Sequence, residues 1–364
     1  MTKNDLTKNK YQISFLQEED YYSYRQFIRD HPLALYEHSL EIKDLISHHF
    51  KFEPMYLVAK EEALDKDKSK TKIAGVFPLF KAHSFIEGTR LVSLPFFPFG
   101  GVLGKDFLCK QALLRKAQEL AQNVRFLEIR QREELDPELT ENFVRQSPIT
   151  DFLLPFRSTE EETFQSLDKR VRYDIKKAQK NNLQVKIGKT KKELDDFYSI
   201  YLNTKKKRGV PAWPYGLFAE ALKTCNSLIG VVYHQNKPIA SGFFFLHKNE
   251  IEYGFAGADY KFTHLSPYYM LLWEMVRYGI KNGYTILDFG GSTKELNEGN
   301  LYAFKERWCP LKREIPYYFY ASDSNNVPQL QKSFKVYTWY GKVWSLLPKW
   351  FIKMISPAVI RQFS

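Results

Sequence analysis

The stretch YTILDFGGSTKELNEGNLYAFKERW, from Tyr284 to Trp308, gathers residue types that can do chemistry. Tyr284, Ile286 and Asp288 alternate with Thr285, Leu287 and Phe289, which predicts a strand carrying Asp288 to its C-terminal end. Open α/β sheets place their ligand crevices at that end. Gly290 and Gly291 free the backbone for positive φ and let a substrate approach the main chain, and Ser292 adds a hydroxyl. Two readings stand for Asp288: a carboxylate that takes a proton during reaction, or a cap on a tight strand exit. Lys305 lies among Tyr302, Phe304 and Trp308. A partly desolvated ammonium in such company can stabilise an oxyanion or a leaving oxygen. A lysine snorkelling along aromatic faces into water would give the same sequence.

Further candidates lie upstream. Asp259 is a second acid able to accept a proton. In HLSPYYMLLWE, Ser266 is placed at a helix N-cap and Pro267 in its first turn, which leaves free amides for an anion. KRVRYDIKKAQKNN predicts a basic helix bearing Arg170 and Arg172; KKKRGVPAWPYG sets Arg208 beside Trp213 and Tyr215. Cations beside aromatics suit a nucleotide, although a solvated helix face is the commoner fate of such runs. Asp288-Phe289-Gly290 spells a kinase triplet, but no HRD loop or GxGxxG accompanies it. There is no GKS/GKT phosphate loop, GxSxG elbow or dinucleotide fingerprint.

The elements that must hold these residues repeat. Strands are predicted over Met55–Lys60 and Ile73–Phe80, then a helix over Lys110–Asn123 and the strand VRFLEIR. The same order returns with strands over Leu228–His234 and Ile239–Leu246, a helix over Pro267–Gly283, and YTILDFG. Two copies of one mixed α/β unit account for this order. The junction is expected near Gln146–Asp151 (QSPITD), giving domains 1–148 and 149–322 and a basic, aromatic tail over 323–364. The tail can dock its apolar side on the protein or lie on a membrane surface.

The chain has 364 residues, with 54 Lys and Arg against 42 Asp and Glu, so anionic partners are favoured. Its three cysteines form no CxxC pair and no HExxH occurs, so neither disulfides nor a metal is expected. The start MTKNDLTKNK has no apolar core and no apolar run reaches about 20 residues, which predicts a cytoplasmic protein.

Taken in order, four segments resemble the FemAB family of peptidoglycan interpeptide-bridge transferases and its acetyltransferase-like relatives. They are LVSLPFFPFGGVLG, RVRYDIKKAQKNNLQV, FYSIYLNTKKKRGVPAWP, and YGFAGADYKFTHLSPYYMLLWEMVRYGIKNGYTILDFGGS followed by AFKERW. The resemblance implies two tandem GNAT-like N-acyltransferase domains, with the tail returning to the first. It implies transfer of an acyl or aminoacyl group to an amine of a nucleotide- or lipid-linked envelope precursor, of peptidoglycan or polysaccharide. The donor is aminoacyl-tRNA or acyl-coenzyme A, with no tightly bound cofactor. A non-catalytic binder of RNA or anionic glycan on the same double scaffold is the alternative. Lys305 matches the family's intermediate-stabilising lysine, and Arg208 its phosphate-binding arginine. Tyr253, in YGFAGADYKF, joins the expected substrate-binding set. The chain departs from the family in three places: it lacks the long helical arm, has Gly291 where many relatives carry arginine, and has Ser266-Pro267 in place of the RxxGxG/A pyrophosphate loop.

Overall fold

The computed structural model describes residues 10–61, 72–85, 87–294, 300–329, 341 and 343–363. The chain divides into two units: Met1–Ser147 with Ile315–Gln329 and Arg361–Ser364, and Pro148–Glu314 with Leu330–Ile360.

The first unit begins with β1 (Tyr11–Phe15), α1 (Tyr21–Asp30), α2 (Leu40–Phe50) and a short β2 (Glu53–Pro54). β3 (Leu57–Glu61) and β4 (Ile73–Phe77) form an antiparallel hairpin. One strand was expected over Ile73–Phe80, but it ends at Phe77, because Pro78 has no N–H for the ladder. A second hairpin starts at Phe80, formed by β5 (Phe80–Ser84) and β6 (Gly88–Val92). β7 (Leu103–Gly104) completes a sheet of order β1-β3-β4-β7. α3 (Phe107–Ala121) is capped by Asp106, whose Oδ1 accepts from the Cys109 amide at 2.9 Å. It buries Cys109, Leu113, Leu114 and Ala117 in one core with Leu57, Ala59 and Phe77. β8 (Leu127–Arg130) then lies parallel to β6, and a single turn of helix, α4 (Pro137–Thr140), follows.

Residues 146–151, expected as a polar junction, are strand: β9 runs Val144–Pro155, and the division of units falls inside it. In the second unit come α5 (Glu160–Ser166), α6 (Lys169–Lys180), β10 (Gln184–Gly188), α7 (Lys191–Lys207) and α8 (Tyr215–Thr224). β11 (Ser227–His234), β12 (Lys237–His247) and β13 (Glu250–Ala258) form an antiparallel meander. α9 (Pro267–Lys281), β14 (Ile286–Ser292), α10 (Asn300–Trp308) and β15 (Leu311–Tyr320) follow. The sheet order here is β10-β11-β12-β13-β14-β9. Strand β12 has both faces buried, which explains its run of Phe243, Phe244, Phe245 and Leu246. Phe243 meets Phe197 of α7 and Phe218 of α8, while Phe244 joins the core formed with α6 and α9. α6 turns Val171, Ile175 and Ala178 inward at helical spacing and leaves its lysines outside.

Hairpin, further strand, helix and strand therefore occur twice, as β3-β4-β5-β6-β7-α3-β8 and as β11-β12-β13-α9-β14. The first copy has the extra hairpin β5–β6, and its β8 pairs with β6 rather than in the sheet of β3 and β4. Each copy is a mixed α/β unit. The tail returns to the first unit only in part. Its helix, Lys349–Ile360, packs on α7 of the second unit, burying Ile352, Ser356 and Ile360. Ser356 Oγ there accepts from the Ala212 amide at 3.1 Å. In the first unit, the final turn Arg361–Phe363 lies beside β5, where Gln362 Oε1 accepts from the Phe85 amide at 2.9 Å. No helix among the described residues is long and apolar enough to cross a membrane.

Candidate active site

The parallel pair β13–β14 matches in only three rows, ending at Glu252 opposite Asp288. On the other side, β14 runs antiparallel to β9, with Asp288 opposite Leu153 and Gly291 opposite Asp151. Three residues of β14 thus span two of β9, which is a β-bulge at Phe289–Gly290. Gly290 takes φ +69°, a conformation that would strain any side chain. Residues in register share a face, and Asp151 lies two residues from Leu153. Glu252, Asp288 and Asp151 therefore stand on one face of three neighbouring strands.

Two cations balance this acidic row. Arg313 Nη2 on β15 is 2.6 Å from Asp151 Oδ2, and Asp151 is fully buried. Lys305, on α10, is also buried, and its Nζ donates to Gly290 O at 3.0 Å and Gly291 O at 2.9 Å. Its third N–H has no hydrogen-bond partner among the described residues. Burial pulls the Lys305 ammonium below the ordinary lysine value, while Asp151 and Asp288 oppose that shift. Phe304 and Trp308, on either side of Lys305, pack on Tyr269 of α9, and Trp308 also meets Phe289. The aromatics anchor α10 so that Lys305 reaches the bulge.

Asp288 Oδ1 accepts from the Gly290 amide at 2.6 Å, so the strand-exit cap is present. Its carboxyl is held well above the usual carboxylate range by burial, then by the charges of Asp151 and Glu252. Asp151 Oδ1 is buried and receives no N–H among the described residues. Asp288 lies within hydrogen-bond reach of Asp151, so a proton held between the two carboxyls would supply the missing donor.

Other expected residues form two neighbouring groups. Ser266 precedes α9 with φ +57°; its Oγ does not cap the helix but donates to Asp174 Oδ1 at 2.9 Å. Tyr269 lies close to Asp174, Arg307 and Arg170, so Arg170 joins Ser266 at the N-terminus of α9. Arg208 Nε donates to the Tyr260 hydroxyl at 3.3 Å, with Tyr268 and Tyr253 beside it. Tyr253 stacks on Phe244 at 5.1 Å and meets Phe289 edge-on at 6.3 Å. Phe304 touches both Tyr268 and Tyr269, so one aromatic wall links the groups to Lys305.

Three expected residues lie elsewhere, and two more are occupied in place. Asp259 caps the turn Tyr260–Leu265 through the Lys261 amide at 3.1 Å and sits 3.6 Å from Lys237 Nζ. It follows Glu252 by seven residues of strand, roughly 20 Å at about 3.3 Å per residue, and is not among the charges acting on Lys305. Tyr215 donates to Asp195 Oδ1 at 2.7 Å on the α7–α8 side. Arg172 is tied to Gln165 Oε1 at 2.7 Å. Gly290 and Gly291, expected to admit a substrate, give their carbonyls to Lys305, and Ser292 is buried. Asp151, Glu252, Arg313, Asp174 and Arg307 were missed. The one signal in sequence is an acid inside an apolar run, Asp151 in ITDFLLP.

Residues 165–306 match the acetyltransferase (GNAT) domain family. The match spans 142 of the 364 residues and lies within the second unit, which carries the Lys305 cluster. Among individual relatives, the chain is similar to the UDP-N-acetylmuramoylpentapeptide-lysine N(6)-alanyltransferase of Weissella viridescens, at 25% identity over 134 residues. That match covers 36% of this chain and 40% of the relative. The crystal structure of FemX superposes with a TM-score of 0.63 at 12% identity, covering 89% of this chain and 99% of that one. The C-terminal domain of a putative lysylphosphatidylglycerol synthetase from Agrobacterium fabrum gives 0.57 at 9% identity, covering 86% and 95%.

Proposed function

We propose that this protein transfers an acyl or aminoacyl group to an amine of a cell-envelope precursor, with Lys305 as the fixed cation at the reacting carbonyl. The observation that carries this reading is the buried Lys305 ammonium, held by two glycine carbonyls with its third N–H uncommitted among the described residues. In a water-poor site such a donor stabilises an oxyanion far better than solvent does. The amine nitrogen bonds to the carbonyl carbon of an ester or thioester, and the carbon–oxygen or carbon–sulfur bond breaks. The proton lost by the amine ends on the departing oxygen or sulfur, so no oxidant, metal or covalent enzyme intermediate enters.

Asp288 takes a different part from the proton acceptor expected from sequence. Buried between Asp151 and the Gly290 amide, its carboxyl is held well above the usual carboxylate range, which favours the protonated form over a free base. Its part is to fix the bulge whose carbonyls aim Lys305. Arg170, beside the N-terminus of α9, and Arg208, among Tyr253, Tyr260 and Tyr268, are the groups for anionic parts of donor and acceptor.

The relative's name supports a muropeptide amine as acceptor; a polysaccharide amine is the second candidate. Aminoacyl-tRNA and acyl-coenzyme A are the two donors, both cytoplasmic. The test is intact-mass analysis of UDP-linked muropeptide and amino-sugar precursors after incubation with each donor in parallel. A mass gain of one acyl or aminoacyl residue is expected. Unchanged precursors with every donor, together with salt-sensitive RNA or glycan binding that survives Lys305→Met, would instead establish the non-catalytic binder.

A further inference from the structure

The C-terminal helix has two apolar sides and only one is used. Ile352, Ser356 and Ile360 are buried on α7, whereas Trp350 is 67% and Met354 62% exposed one turn apart. Leu346, four residues before Trp350, is 82% exposed, and Val343 is 54% exposed. Such a run of aliphatic and indole side chains costs free energy in water unless something covers it.

Charge identifies the cover. Residues 324–364 contain five lysines and one arginine and no Asp or Glu. Lys349 and Lys353 stand one turn apart on the same helix, and Lys353 Nζ rests 5.4 Å from the Tyr198 ring centre. A cavity of about 390 Å³, lined by Tyr198, Tyr215, Lys349, Trp350 and Lys353, opens beside them. Near Gly341, the chain crosses Gly209 so closely that a Cβ there would sit 2.4 Å from the Gly341 Cα. That contact runs the chain leading into this helix past the end of α7, whose last turn holds Lys205, Lys206 and Lys207.

We infer that this tail seats the protein on an anionic phospholipid surface. An interfacial helix places indole and aliphatic groups at the acyl boundary and its lysines among phosphates, using both features at once. RNA would leave Leu346 and Met354 uncovered, and an ordinary protein partner gives no reason for a tail without acids. The helix lies in the plane of the surface, since none here is long and apolar enough to cross. No residue of the Lys305 cluster takes part, so this inference and the proposed reaction stand or fall separately.

The test is flotation of the full chain with mixed phosphatidylglycerol–phosphatidylcholine vesicles and with phosphatidylcholine alone. Binding is expected only to the mixed vesicles and should fall as salt rises. Lys349→Glu with Lys353→Glu should weaken it at least about tenfold, given about 1 kcal/mol per cation at such a surface. Leu346→Ser, Trp350→Ser and Met354→Ser together should abolish it without changing the circular dichroism spectrum. Brominated phosphatidylglycerol should quench wild-type tryptophan emission, a readout that needs no variant to fold. Absence of wild-type binding, absence of quenching, or full binding by the triple variant would overturn the inference. So would a wild-type dimer that fails to bind vesicles and that the triple substitution converts to monomer, which would make the stripe a contact between copies.

Discussion

Asp288→Asn separates a neutral buried acid from a working base. The asparagine can keep both hydrogen bonds, its carbonyl oxygen accepting from Gly290 and its amide donating to Asp151. What changes is titration. With a folded value well above the usual carboxylate range, wild-type Asp288 holds a proton over a pH window in which the unfolded chain releases it. Its stabilisation is complete below the unfolded value and is lost as pH rises towards the folded one. One proton gives a slope of about 1.4 kcal/mol per pH unit across that window. The amide has no such slope, so Asp288→Asn should gain on wild type by about that amount per unit as pH rises from acid towards neutral. Two units need not unfold together, so the suitable measure is hydrogen exchange of β9 and β14 peptides, compared between the two proteins at each pH. Intrinsic exchange chemistry cancels in that comparison. Turnover of Asp288→Asn at neutral pH should stay within a few fold of wild type. A stability difference that does not vary with pH would refute the neutral acid, and loss of turnover with the fold intact would restore Asp288 as the proton acceptor.

Lys305→Met keeps the side-chain length and removes the charge; turnover should fall about 100-fold or more, the size of a lost oxyanion donor, while the far-UV spectrum is kept. Wild-type turnover should also decline on an alkaline limb below the ordinary lysine value, because burial makes the ammonium easier to deprotonate. Arg313→Gln leaves Asp151 buried without its counter-charge and should cost about 3 kcal/mol in denaturant unfolding. That figure is at the low end for buried pairs because Arg313 keeps some contact with water. Adding Asp151→Asn should recover most of the loss, and failure to do so would mean the pair is not the source.

The sequence alone determined much of the scaffold. Alternation and helical spacing are local properties of the chain, so the repeated order of hairpin, strand, helix and strand was legible, as were β14, α6 and α9. Pro78 splitting one expected strand is also a local effect, and it was there to be read. The tail was placed only in part, because its lysine-rich apolar pattern states only that a face must be covered, not by what. Which surface covers it depends on the shape of α7, far away in sequence.

Lys305 and Asp288 could be nominated from their neighbours in sequence, but their roles could not. Asp151, Glu252 and Arg313 meet Asp288 only through strand register, separated from it by many residues along the chain. Register, the bulge at Gly290 and burial set Asp288 beside two other acids, which pushes its carboxyl well above the usual range, and fix Lys305 on two carbonyls. They also left Asp259 and Tyr215 with ordinary structural partners. A side chain's type follows from the chain alone, but its charge state depends on the electrostatics and hydration around it, which exist only once distant strands have come together.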